Sequence, residues 1–218
     1  MGTVLASKIA DEAATLLFDR NYDAFDLSDH LKFINAGQKA AVSLKPDISI
    51  NNAVVQLVAG TKQSISSTGI SFINLTRNMG SDGLTPGKII RFTEIDRLDK
   101  HNPDWHTDTV SATVKLYLFD PKDPKHFYVY PPQPDTGMGY VESIESVIPS
   151  EIAKIGDAIT IDDIYEDALR NYDIYRALSI DAKQSELALK KAIMHYQLFY
   201  QILTGKEITE DKIELGRK

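Results

Sequence analysis

The hydrophobic period of this chain changes twice, and that double change limits its fold more than any other feature. Residues 3–18, "TVLASKIADEAATLLF", set Leu5, Ile9, Ala13 and Leu16 at helical spacing. After a turn at "DRNYDAFD", the segment "LSDHLKFINAGQKAAVSLKPD" sets Leu27, Leu31 and Ile34 on one stripe. Asp26 is suited to cap that second helix, Asp29 to its positive end, and Pro46 to stop it. Ala36, Gly37 and Ala40 form a small-residue patch on which another backbone can sit closely. From about Ile50 the helical period disappears. "AVVQLV", "SFINLTRN", "KIIRFTEI", "TVKLYLFD", "HFYVYPP" and "YVESIESVI" are short, rich in β-branched and aromatic residues, and bounded by Gly, Pro, Asn, Asp and Ser. They predict five or six antiparallel strands, with a long polar loop from Thr93 to Ser111 that has room for a helical turn at "TEIDRLDK".

Helical spacing returns near Ile161. "IDDIYEDALRNYDIYRALS" aligns Tyr165, Ala168, Tyr172 and Tyr175, and "SELALKKAIMHYQLFYQILTG" aligns Leu189, Ile193, Tyr196, Tyr200 and Leu203, with Gly205 as a C-terminal stop. The expected class is α+β. Residues 1–48 and 150–205 are read as a discontinuous helical bundle, 49–149 as an inserted antiparallel β-domain, and 206–218 as a charged C-terminal tail carrying Ile208, Ile213 and Leu215. No internal repeat interrupts this pattern.

Composition narrows the chemistry. The chain has no cysteine, which removes disulfides, thiolate metal sites and a cysteine nucleophile. Its 24 basic residues against 31 acidic ones leave a net charge of −7, which opposes any firm grip on nucleic-acid phosphates. No apolar run approaches the roughly 20 residues that span a bilayer, and the start "MGTVLASKIADEAA" does not read as a secretory signal.

The stretch most inviting to chemistry is "HNPDWHTDTVSATVKLYLFDPKDPKHFYVYPP", residues 101–132, with the single tryptophan and three of five histidines. His101 and His106 are five apart in a loop, which is not a metal-ligand spacing on a helix, and no HExxH is present. Phosphate loops of the GxxxxGK[ST] or GxGxxG type and a GxSxG nucleophile turn are also missing. "NMGSDG" departs from a calcium loop because Ile89 stands where the twelfth-position Glu belongs. The acidic group Asp162, Asp163, Glu166 and Asp167 suits a helix start. His195, between Met194 and Tyr196, suits a packed helix. "LYLFDPKDPKHFYVYPP" reads as a hairpin of two aromatic strands, turned by Pro121 and Pro124 with Asp120 bonding the backbone ahead of it. Aromatics pointing both ways predict a sheet covered on both faces, or one face left to bind. Trp105 and His106 are expected to fasten the long loop to that sheet.

"PDWH", then "VKLYLFDPKDPKHFYVYPP", then "DIYEDALRNYDIYRALSIDA", preceded by "LSDHLKFINAGQKAAVSLKPD", resemble a family of tailed-bacteriophage adaptors. That family is related to the head-to-tail adaptor, or tail tubular protein A, of short-tailed phages. The likeness covers nearly the whole chain; one departure is that "YVESIESVIP" lacks an aromatic before its final proline. The resemblance implies a structural virion protein at the head–tail junction, present in the host cytoplasm during assembly. It implies a homo-oligomeric ring, often twelve-fold, beneath the portal protein, with a downstream tail or nozzle protein as second partner. DNA would pass through the channel without specific binding, and no membrane, cofactor, metal or catalytic residue is implied. Structural or assembly candidates are Trp105, His106, Tyr117, Phe119, Phe127, Tyr128, Tyr130, Tyr172, Tyr175, Ile208, Ile213 and Leu215. Two other readings remain open at this stage. One is a β-type carbohydrate or tail-fibre binding module stacking sugars on Tyr128 and Tyr130; the other is a metal-assisted hydrolase built on His101, His106 and an aspartate.

Overall fold

The computed structural model describes residues 2–181 and 185–205. They form five α-helices: α1 Ala6–Leu16, α2 Leu27–Leu44, α3 Ile95–His101, α4 Glu166–Asp181 and α5 Glu186–Thr204. Seven strands accompany them: β1 Ile50–Gln56, β2 Gly60–Ser64, β3 Gly69–Asn78, β4 Arg91–Phe92, β5 Leu116–Leu118, β6 His126–Gln133 and β7 Tyr140–Val147. The class is α+β. Contacts divide the chain into two compact units, one made of residues up to Ile48 together with those from Pro149 on, the other of Ser49–Ile148.

In the first unit α4 is the centre, packing against α1, α2 and α5. Its burial explains a departure from the sequence expectation. Instead of one apolar stripe, Asn171, Tyr172, Asp173 and Ile174 are buried in succession, because neighbours cover α4 on several sides. The buried faces of the other helices are also rotated. On α1 the core is Ala6, Ile9, Ala10, Ala13 and Ala14, while Leu5 and Leu16 are exposed at its ends. On α2 it runs through His30, Phe33, Ile34, Gly37, Gln38, Ala41 and Val42, and Leu27 is exposed. The small-residue patch receives side chains, not backbone: a Cβ at Gly37 would lie 3.1 Å from Tyr172 Cδ1 and 3.2 Å from Leu169 Cδ2. On α5 the buried line is Ala192, Phe199 and Leu203.

Local capping follows the sequence. The Asp26 carboxylate accepts the Asp29 N–H at 2.9 Å, the Ser185 hydroxyl accepts from Ala188, and Gly205 closes α5 at φ +65°. At the end of α1 the same closure is made by a phenylalanine. The Phe18 N–H donates to Thr15 O at 3.3 Å and the Asp19 N–H to Ala14 O at 2.8 Å, the paired bonds of a Schellman end. Phe18 thus takes the left-handed position at φ +62°, and the residue is 94% exposed. The Asp19 carboxylate then accepts the backbone N–H groups of Asp23, Ala24 and Phe25, which hold it below the usual carboxylate range.

The second unit holds two sheets, ordered β1-β7-β3 and β2-β6-β5-β4. The expectation of five or six antiparallel strands needs three corrections. β2 was not expected, because its inward residues are polar: Thr61 and Gln63 are buried. The Gln63 amide satisfies itself by accepting the Val58 N–H at 2.7 Å and donating to Val58 O at 2.8 Å, so no apolar alternation marks the strand. "KIIRFTEI" yields only the two-residue β4, and β4 pairs with β5 in parallel. Its tail enters α3, the helical turn expected in the polar loop. β7, the strand lacking an aromatic before its proline, is the centre of its sheet and pairs in unbroken register with β1 from Ile50↔Ser146 to Gln56↔Tyr140.

Candidate functional site

The aromatic hairpin is β5 and β6, paired antiparallel through Leu116↔Tyr130, Tyr117↔Val129 and Leu118↔Tyr128. Asp120 turns it, its carboxylate accepting the Lys122 N–H at 2.9 Å. Strand alternation then sends its side chains to two cores. On one face Tyr117, Phe127 and Val129 join Leu57, Phe72, Leu75 and Val141. Phe72 stacks on Phe127 with centroids 4.4 Å apart and meets Tyr117 and half-buried Phe119 edge-on at 5.8 and 5.4 Å. The Tyr117 hydroxyl donates to Oδ1 of the half-buried Asn74 at 2.6 Å.

On the other face Leu118 is covered by Leu98 of α3 and by Trp105, with Leu116, Tyr128 and Tyr130 packed around them. Trp105 is fully buried, and its Nε1–H donates to Asp99 at 2.8 Å. Its ring stacks on His106 at 3.7 Å, and His106 Nδ1 is hydrogen-bonded to Thr61 Oγ1 at 2.8 Å, across to β2. The Tyr130 hydroxyl donates to Asp108 at 2.7 Å; with the Thr109 N–H and Asn102, it keeps that carboxyl below its ordinary range. Both faces of this sheet are therefore occupied within the unit.

Tyr172 and Tyr175 lie in the other unit, on the α4–α5 seam. Tyr172 meets Phe199 at 4.9 Å and Tyr175 meets Tyr196 at 5.0 Å; burial raises the Tyr196 hydroxyl above its usual range. Ile208, Ile213 and Leu215 lie outside the described residues.

The histidines do not converge. His101 Nδ1 bonds its own helix at Arg97 O, 2.8 Å away, while His106 engages β2. His126 pairs with Asp123 at 2.7 Å, and His195 with Asn171 at 2.9 Å. Among the described residues no three His, Asp or Glu side chains are placed to hold a metal ion. The acidic group before α4 is spent on structure. Asp162 caps the turn at Ile164, Asp163 accepts the N–H groups of Thr3 and Val4, Glu166 pairs with Lys8 at 2.6 Å, and Asp167 pairs with Arg170 at 2.8 Å. Tyr128 and Tyr130, the residues of the carbohydrate reading, are half-buried against the Trp105 turn. No described helix is long and apolar enough to cross a membrane.

One feature escaped the sequence reading. His30 of α2 and Asp173 of α4 form a pair with both side chains at 0% exposure, His30 Nδ1 lying 2.9 Å from each carboxylate oxygen. Burial pushes Asp173 up to about 6 even though His30 pulls the other way. Tyr22 packs edge-on to the His30 ring at 5.7 Å. The signal was present: Asp173 stands between Tyr172 and Ile174, and His30 one turn before Ile34, each within a run of core positions.

The aromatic residues of this region are used for packing within their own units, and the histidines bond separate neighbours. The family model described as "SU10 adaptor protein" matches residues 5–214. The chain belongs to this family of phage adaptor proteins. It is accordingly a structural bacteriophage virion component, placed by its family at the head–tail junction between portal and tail proteins. No curated protein matches it.

Proposed function

We propose that this adaptor assembles as a homo-oligomeric ring, twelve-fold, beneath the portal and forms part of the DNA conduit joining capsid and tail. The observation that carries this reading is the family match across 5–214, nearly the whole chain. In this reading the helices of 1–48 and 150–205 act as a bundle that packs around the ring. The inserted β-domain, 49–149, faces neighbouring copies and the downstream tail or nozzle protein. The aromatic residues of β5, β6 and the Trp105 turn serve as its internal frame. Tyr172 and Tyr175 stiffen the helices, and Ile208, Ile213 and Leu215 dock a partner. The net charge of −7 supports a conduit role, because a negative lining repels phosphates and lets DNA slide. The adaptor enters this junction from the host cytoplasm during assembly.

The test is reconstitution with the purified cognate portal, followed by native mass measurement. The expected product is a portal complex carrying a whole ring of adaptor chains. Intact portal that acquires no adaptor at any ratio refutes the reading. A monomeric adaptor on its own does not, since the portal supplies the template.

A further inference from the structure

We infer that the outer edge of β1 is a docking edge for an extended segment of a partner protein, which adds to the β1-β7-β3 sheet as a further strand. The backbone parity is settled by two flanking bonds, Val147 N–H to Ser49 O at 2.9 Å and Leu57 N–H to Gly139 O at 3.0 Å. In an antiparallel ladder these place the odd-numbered residues of β1 against β7. The N–H and C=O groups of Ile50, Asn52, Val54 and Gln56 therefore point away from the sheet. The side chains of the same four residues are exposed, Ile50 at 51% and Val54 at 41%, whereas Val55 packs on the core.

The other sheet edges are each blunted. β3 is bulged at three places, and its free side is met by the Arg77↔Ile89 bridge and by bonds from Phe72 N–H to Pro124 O and Ile90 N–H to Thr76 O. β4 has two residues. β2 is five residues long, carries Lys62 and is bulged between Gly60 and Lys62. β1 has none of these protections. It is seven residues of unbroken register, "INNAVVQ", with no charge, no proline and three β-branched side chains. Exposed edges of this kind are ordinarily guarded by charge, proline or bulges, because they template the next strand.

The edge also specifies its occupant. Unpaired N–H and C=O groups on alternate residues are satisfied by another extended backbone, the strand-addition mode of peptide recognition. The absence of charge on β1 calls for a segment uncharged where it faces the edge, with apolar side chains two to four residues apart to meet Ile50 and Val54. Pairing of β1 with β1 of a second copy is isologous and closes a two-fold dimer. A head-to-tail junction has direction, which favours a different chain; this choice of partner rests on the adaptor reading.

The test is hydrogen exchange at β1 in the free full-length chain and in purified phage particles. In the free chain the amides of Ile50, Asn52, Val54 and Gln56 exchange fast. In particles they are expected to slow by at least about tenfold, the factor one net backbone hydrogen bond provides. Val54→Pro removes an outward N–H and Val54→Lys places a guard on the edge. Both are expected to fold and to lower incorporation into particles by at least about tenfold. Wild-type chain present in particles with β1 still exchanging freely overturns the inference and leaves the adaptor reading standing. Protection that appears in the pure protein as its concentration rises, or in portal–adaptor complexes that hold no tail protein, assigns the edge to a second copy and also overturns it.

Discussion

Replacing Asp173 with alanine tests how the helices of the first unit are locked together. The His30 ring is fully enclosed; among the described residues Nδ1 bonds only the Asp173 carboxylate and Nε2 has no hydrogen-bond partner. Alanine leaves the ring with no partner at either nitrogen. A buried polar group stranded in this way costs about 1–3 kcal/mol, and the space vacated by the carboxylate adds to it. The expected loss is about 2–4 kcal/mol, or roughly 5–15 °C in melting temperature for a chain of this size. Asp173→Asn keeps an acceptor for His30 and should cost about 1 kcal/mol. The double change His30→Leu with Asp173→Leu removes both polar groups and should cost less than Asp173→Ala alone. The pair also sets a pH dependence. Asp173 is raised from 3.8 to about 6 by burial, so the folded chain holds a proton that the unfolded chain has already shed. That contribution is complete below about pH 4 and is lost as pH rises through about 6; Asp173→Asn should flatten this slope. Urea unfolding followed by far-ultraviolet circular dichroism across pH 4–7 measures all of these. A loss below about 1 kcal/mol for Asp173→Ala would refute the reasoning.

Phe18→Gly should stabilise the chain by about 1 kcal/mol, because the Schellman position at φ +62° strains any residue with a Cβ; a lower urea midpoint would count against that account. Trp105→Ala should cost about 3–5 kcal/mol and free the loop that it pins to β5 and β6, read as faster amide exchange around His106 and Thr61. Exchange that stays slow there would show that other contacts hold the loop. Truncation after Gly205 should leave melting unchanged and abolish portal binding; full binding by the truncated chain would exclude a docking role for Ile208, Ile213 and Leu215.

What could be read from the sequence was local. Asp26 and Gly205 act within one turn of their own helix, so residue type and spacing identified them. The hairpin was legible because Asp120, Pro121 and Pro124 separate two aromatic runs. Features that depend on distant chain were not legible. β2 hides behind buried Thr61 and Gln63, whose partners are Val58 and His106. The parallel β4–β5 pair needs an excursion through α3 that no short-range pattern encodes. The His30–Asp173 pair spans 143 residues of sequence, and a polar residue on an apolar stripe does not announce its partner. The stripes themselves are legible, but α4 is buried around more of its circumference than one stripe because α1, α2 and α5 all pack on it. The histidines that invited a catalytic reading each bond a separate neighbour.

The central claim, a ring of adaptor chains at the head–tail junction, is tested most directly by electron cryomicroscopy of the intact particle. The account predicts a closed ring of density beneath the portal into which the helical unit and the β-unit of this chain each fit, repeated twelve times around an open channel. A junction whose density beneath the portal fits neither unit would contradict it.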